Sequence, residues 1–158
     1  METENLKFKL ELWATMWQKS PHVEIYINSD KMFEGDVTGT EDHPTVIEFK
    51  KELQKGEHYL TIHRTGKDKY ETVIENGKIV KDQMLHIKNI EIDEIEIGSL
   101  VYNGIYTPEY PEPWLTQQKE AGIDVPTEFT NATRLGHNGT WKLRFESAFY
   151  MWLLENLY

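Results

Sequence analysis

The sequence predicts an all-β chain: an antiparallel β-sandwich of jelly-roll or immunoglobulin-like type, with one or two short helices in its C-terminal third. Three observations predict it. Apolar residues recur with a period of two, as on a half-buried strand. About nine such runs follow one another at spacings of roughly 8–12 residues, punctuated by Gly, Pro, Asn and Asp, the rhythm of an all-β domain. Two of the runs, Lys55 to Arg64 and Met84 to Ile97, are joined by a long charged loop with Asn76-Gly77 inside it, and the remaining runs read as strands stacked on this pair. At 158 residues the chain is read as one domain, 1–158, long enough for a substantial core.

The first strand spans Leu6 to Trp13, with Leu6, Phe8, Leu10 and Leu12 on one face and Lys7, Lys9 and Glu11 on the other. The segment Trp17–Pro21 breaks it. His22 to Asn28 and Lys31 to Val37 form a hairpin around a turn at Asn28–Lys31. Thr45 to Leu53 is a strand around Ile47, Phe49 and Leu53. Gly56 turns the chain into Glu57–Arg64, whose inner face carries His58, Leu60 and Ile62. So short a connection makes these two strands antiparallel neighbours by default.

Within the loop Thr65–Lys81, Asn76-Gly77 marks a small hairpin. The run from Met84 to Ile97 changes parity after Ile87, which calls for a bulge near Asn89 and a turn at Asp93-Glu94. Leu100 to Tyr102 adds a short strand, and Gly104 to Pro113 is irregular. A helical turn follows, with Pro113 suited to its first position and Gly122 to the position past its end. Thr130 to Phe145 reads as a closing hairpin across Gly136–Gly139. From Ser147, a possible cap, to Tyr158 the spacing of Phe149, Trp152, Leu153 and Leu154 is helical.

Composition excludes several function classes. With no cysteine, disulfides, thiolate catalysis and cysteine-ligated metal centres are ruled out, and a reducing compartment is compatible. The net charge of −10, with no basic cluster, disfavours a nucleic-acid partner. No apolar run approaches the roughly 18 residues that span a bilayer, so no membrane partner is expected. Met-Glu-Thr-Glu-Asn at the start carries no apolar core, so no signal peptide is expected. No phosphate loop, GxSxG elbow, HExxH or dinucleotide fingerprint occurs.

Several constellations are left to weigh. His63 and His86 could face each other on paired strands, although zinc would need further ligands, and hydrogen-bonded strand histidines are the commoner case. Glu91, Asp93, Glu94 and Glu96 form an acidic run; a paired-carboxylate glycosidase would need two acids about 5–10 Å apart across a cleft, whereas a charged strand face protects an edge. Asn131-Ala-Thr and Asn138-Gly-Thr match the glycosylation pattern, and Asn138-Gly139 is better read as a turn. The chain has five Trp, eight Tyr and six Phe. Tyr106, Tyr110 and Trp114, interleaved with Pro108, Pro111 and Pro113, form a candidate ligand platform, because an aromatic plane packs against the apolar face of a pyranose. The alternative is that they fold back over one end of the core. Trp13 and Trp17 are a second pair on the same logic.

Three segments carry a resemblance: Glu24-Ile-Tyr-Ile-Asn-Ser-Asp, Lys55-Gly-Glu-His-Tyr-Leu-Thr-Ile and Asp82-Gln-Met-Leu-His-Ile-Lys-Asn-Ile-Glu-Ile-Asp. Together, over about residues 20–97, they resemble the calcium-dependent xylan-binding carbohydrate-binding modules. Tyr110-Pro-Glu-Pro-Trp114, Leu135-Gly-His-Asn-Gly-Thr-Trp141 and the segment 149–157 resemble small proteins of large marine tailed phages. The first resemblance implies a non-catalytic module that binds glycans through loops at one end of the sandwich, with calcium as cofactor. Asp82 matches its acidic position before the last strand. Gly66-Lys67 stands where its pattern has Asn-Asp, which leaves Asp68, Glu71 and Asp82, or Glu75, as loop acids that could hold the metal with loop carbonyls. The alternative is that they are ordinary solvated charges. The second resemblance implies a phage-encoded protein located in the virion or the host cytoplasm, with other virion proteins as partners. A virion structural or decoration protein acting only through protein contacts is the alternative function, and a glycan-active hydrolase the third.

Overall fold

The computed structural model describes residues 2–68 and 71–157. The chain is an antiparallel β-sandwich of two five-stranded sheets, with a separate two-stranded hairpin. The strands are β1 (Thr3–Thr15), β2 (His22–Ile27), β3 (Asp30–Asp36), β4 (Thr45–Gln54), β5 (Gly56–Thr65), β6 (Val73–Glu75), β7 (Lys78–Lys81), β8 (Met84–Ile92), β9 (Ile95–Glu96), β10 (Ile105–Pro108), β11 (Arg134–Leu135) and β12 (Gly139–Ser147). The helices are α1 (Trp114–Glu120) and α2 (Phe149–Leu157). One sheet has the order β11-β8-β1-β4, with β9 paired to β8; the other runs β10-β12-β5-β2-β3.

The period-two alternation builds the core. Leu6, Phe8, Leu10 and Leu12 of β1 face inward with Leu85, Ile87, Ile90 and Ile92 of β8. From the other sheet come Val23, Ile25 and Ile27 of β2, Leu60 and Ile62 of β5, and Trp141, Leu143 and Phe145 of β12. Phe8 connects the layers: its ring stacks on Phe49 at 5.2 Å within its own sheet and meets the edge of Phe145 at 5.7 Å across the interface. Trp141 fills the space that Gly104 leaves, for a Cβ on Gly104 would lie 2.2 Å from the indole.

The irregularities fall where local sequence demands them. Asn76 and Gly77 both have positive φ, 53° and 76°, and join β6 to β7. Asp93 and Glu94, at 55° and 68°, turn β8 into β9. The parity change in β8 is a bulge, for Glu11 pairs with Asn89 but Leu12 with Ile87. β2 and β3 pair as a hairpin, with Asn28 at φ 56° in the turn.

Four expectations are corrected. β4 and β5 are not neighbours: β4 pairs with β1 and β5 with β2 and β12, so the connection at Gly56, φ 131°, carries the chain from one layer to the other. Both strands bury one apolar face, and placing them in opposite layers turns those faces toward each other. The segment 130–145 is likewise no hairpin, because β11 pairs with β8 and β12 with β5 and β10. Leu100 to Tyr102 lie in a 3₁₀ turn, Gly98–Asn103, that buries Leu100. The irregular stretch contains β10, which adds an edge strand to β12.

Helix α2 closes the sandwich through Phe149, Trp152 and Leu153. Its first turn is not capped by Ser147. The Glu4 carboxylate of β1 accepts both the Ser147 hydroxyl at 2.5 Å and the Phe149 amide at 2.7 Å. A carboxylate there satisfies an orphan amide and complements the helix dipole. Replacing Glu4 by Ala is expected to destabilise the protein by about 1–2 kcal/mol in urea unfolding, and Ser147→Ala by less, because the amide keeps its acceptor.

Candidate functional site

At one end of the sandwich three connections cross between the sheets: β1 to β2 through residues 16–21, β5 to β8 through 66–83, and β11 to β12 through 136–138. Crossing segments lie outside both ladders, so their backbone groups need other partners. A polar junction supplies them. Arg64, at the end of β5, is fully buried; one guanidinium nitrogen donates to the Asn138 Oδ1 at 2.9 Å, the other to the Gln83 carbonyl and Oε1, both at 2.9 Å. Burial lowers its pKa to about 10. The Gln83 side-chain amide in turn donates to the Lys19 carbonyl at 2.9 Å and the Gly66 carbonyl at 3.2 Å. Asn138 clamps the backbone of Lys67 in both directions, accepting its amide at 3.0 Å and donating to its carbonyl at 2.8 Å.

The Lys67 side chain completes the junction. Its ammonium donates to the Asp82 Oδ1 at 2.7 Å and to the Gly136 carbonyl at 2.5 Å, with only 11% and 14% of the two charged side chains exposed. The same Asp82 oxygen accepts the Thr72 hydroxyl at 2.7 Å and the Gln83 amide at 2.8 Å. Burial would raise the Asp82 pKa, but the Lys67 and Thr72 hydrogen bonds and the Lys67 charge outweigh it and hold the carboxyl below its ordinary value.

These contacts decide how a metal would fit. Asp68 pairs with Lys19 at 3.1 Å. Glu71 is buried with its Oε2 unpartnered, and its carbonyl accepts the Trp17 indole N–H at 2.7 Å. Asp82 faces Lys67. The three acids therefore serve three separate partners or positions, and among the described residues no group of three or more His, Asp or Glu side chains converges to hold an ion. Calcium needs about 6–8 oxygens at 2.3–2.6 Å, and the set present does not fit it.

Beside the junction lies an aromatic cluster. The turn that carries Gly136 and Asn138 also carries His137, whose ring packs against Tyr110 at 5.1 Å, edge on, and against Trp114 at 6.2 Å; Tyr110 and Trp114 are 5.5 Å apart. Burial, with the charge of Lys67, lowers the His137 pKa, so the ring is neutral near pH 7. Trp114 opens α1 and is 38% exposed. α1 itself is capped by Glu112, whose carboxylate accepts the Thr116 amide at 3.2 Å and the Thr116 hydroxyl. Tyr110 donates its hydroxyl to the Pro126 carbonyl at 2.5 Å. Tyr106 behaves differently. It is 4% exposed, its hydroxyl donates to the His137 carbonyl at 2.5 Å and accepts the His137 amide at 2.9 Å, and burial pushes its pKa to about 12. It braces the turn from below, while Tyr110 and Trp114 reach the surface.

Other sequence candidates are dispersed. His63 and His86 lie in different sheets; His86 stacks under Trp13 at 3.7 Å and burial, with the Arg134 charge, lowers its pKa to about 4. That stack lines a shallow groove of about 560 Å³ together with the segment 129–134. Trp17 is apart from Trp13, under the Lys81 ammonium at 4.6 Å. In the acidic run Glu91 pairs with Lys9 and Glu94 with Lys7. Asn138, matched by the glycosylation pattern, has its amide nitrogen engaged inside the protein. Asn138 and His137 were missed as site residues; the asparagine followed by glycine signalled only a turn.

No family model matches the chain, and no curated protein does. Among solved structures the chain is similar to the selenomethionine form of vCBM60, described in connection with two families of calcium-dependent carbohydrate-binding modules linked by circular permutation. The TM-score is 0.45 and the identity 9%, over 87% of this chain and 89% of that one.

The depressed Asp82 pKa has a sign that can be measured. A carboxyl held below its unfolded value contributes stability that is full above about pH 4 and is lost as pH falls through the folded value. Asp82→Asn is expected to cost roughly 2–4 kcal/mol at pH 7 and to lose less stability than the parent between pH 5 and pH 3. Parallel acid limbs in urea unfolding would contradict this.

Proposed function

We propose that this chain is a non-catalytic glycan-binding module whose ligand surface is the Tyr110–Trp114–His137 cluster. The observation that carries the reading is the cluster itself. Two aromatic rings reach the surface, Tyr110 tied to the Pro126 carbonyl and Trp114 at the start of α1, beside a neutral imidazole. Rigid aromatic planes with hydrogen-bonding groups at their edges suit the apolar face and peripheral hydroxyls of a sugar ring. The nearby carboxylates have other partners: Glu109 lies 3.6 Å from His63, and Glu112 caps α1. This supports binding over glycoside hydrolysis, which would need two acids facing a cleft. The resemblance of the segments 110–114, 135–141 and 149–157 to phage proteins supports a module carried on a virion.

A second reading, contact with other proteins of a particle, has its own support. The β6–β7 hairpin exposes Ile74, Ile79 and Val80 by 63%, 62% and 50%, and α2 exposes Met151 and Leu154 by 61% and 57%. Exposed apolar side chains of this kind mark contact surfaces.

A glycan array followed by calorimetry tests the first reading. Trp114→Ala is expected to weaken binding of an array hit about 30-fold, the effect of roughly 2 kcal/mol at an aromatic anchor. Trp13→Ala, in the groove on the other sheet, is expected to leave it unchanged. An array without a hit, with a concentration-dependent oligomer in ultracentrifugation, would favour the protein-contact reading.

A further inference from the structure

We infer that the ammonium of Lys67 is the resident cation of this end of the sandwich, so that the chain orders its crossing loops without a divalent metal. The inference concerns what holds the loops and does not rest on glycan binding.

The geometry is that of a cation site filled from within. Nζ lies among oxygens that come from different crossings, the Asp82 carboxylate before β8 and the Gly136 carbonyl before β12. The base of the side chain is fixed as well, because both backbone polar groups of Lys67 are held by Asn138. A side chain anchored at its Cα and bonded at its tip behaves as a strut between the loops, not as a surface lysine.

The surroundings favour an ammonium over a metal. The Asp82 oxygen nearest Nζ already receives the Thr72 hydroxyl and the Gln83 amide. Three donors converge on one oxygen, which leaves it no lone pair for coordination, and the donor hydrogens would repel a divalent ion. The acids that could enlarge an oxygen set point elsewhere, Asp68 to Lys19 and Glu71 into the interior. Near a buried guanidinium at Arg64, one tethered positive charge balances the Asp82 carboxylate, where a doubly charged ion would leave an excess.

Lys67 is thus a positioning residue for the 136–138 turn, and a change of metal dependence distinguishes this from a merely structural role. Thermal unfolding of the parent, Lys67→Met and Lys67→Asp is compared in millimolar calcium chloride and in EDTA. The parent is expected to melt at the same temperature in both. Lys67→Met is expected to melt about 5 °C lower or more, equally in both. Lys67→Asp places a second carboxylate beside Asp82, and its melting temperature is expected to rise with calcium. A saturable rise of the parent with calcium, a Lys67→Met melt equal to the parent's, or a Lys67→Asp protein indifferent to calcium would each overturn the inference. Should Lys67→Asp not fold, calorimetric titration of the parent with calcium decides: no heat of binding upholds the inference and a saturable isotherm overturns it.

Discussion

Three chain crossings at one end of the sandwich create the demand that shapes this molecule. Each leaves one sheet and enters the other, and outside the β6–β7 hairpin its described amides and carbonyls lie beyond the ladders of both sheets while it does so. Leaving such groups unpaired near the core costs about 1–3 kcal/mol each. The solution is a set of side chains with more than one bond apiece. Arg64 reaches two segments, Gln83 three, Asn138 two, and Lys67 joins the β5–β8 crossing to the β11–β12 turn. A polar network of this kind stabilises when nearly complete and specifies one arrangement of the loops. Among the described residues, Arg64 Nε and, beside the network, Glu71 Oε2 are buried without a partner.

The candidate binding surface follows from this network. His137 lies between Gly136, which accepts the Lys67 ammonium, and Asn138, which accepts Arg64. Its position is therefore dictated by charges that are not themselves at the surface. Tyr106 adds two bonds from the core side. Tyr110 and Trp114 then pack against a ring that cannot easily move. Such support from below is what allows exposed aromatic side chains to hold a fixed geometry in water.

The inward faces of the strands, the β2–β3 and β6–β7 hairpins and the turns are legible because each has a local cause. Period two set the inner faces of β1, β2 and β8, and Asn76-Gly77 and Asp93-Glu94 announced their own turns. The pairing of β4 with β5 and of β11 with β12 was misread because sequence adjacency says nothing about which layer a strand joins. Gly56 marks a turn equally well for a hairpin and for a crossing. The aromatic residues were legible as a group, but the burial of Tyr106 depended on β10 pairing with β12, a long-range event. Lys67 was visible as a break in the calcium-binding pattern. Its bond to the Gly136 carbonyl joins positions 69 apart in the chain, a contact that no local pattern announces.

The central claim is that the Lys67 bridge fixes the 136–138 turn. Amide hydrogen exchange on the parent and on Lys67→Met tests it most directly. The account predicts that protection at His137 and at the neighbouring amides of residues 136–139 falls by at least tenfold, while β1 and β5 exchange as before except for any uniform change from global stability. Unchanged protection in the turn, with loss spread evenly over the core strands, would contradict it.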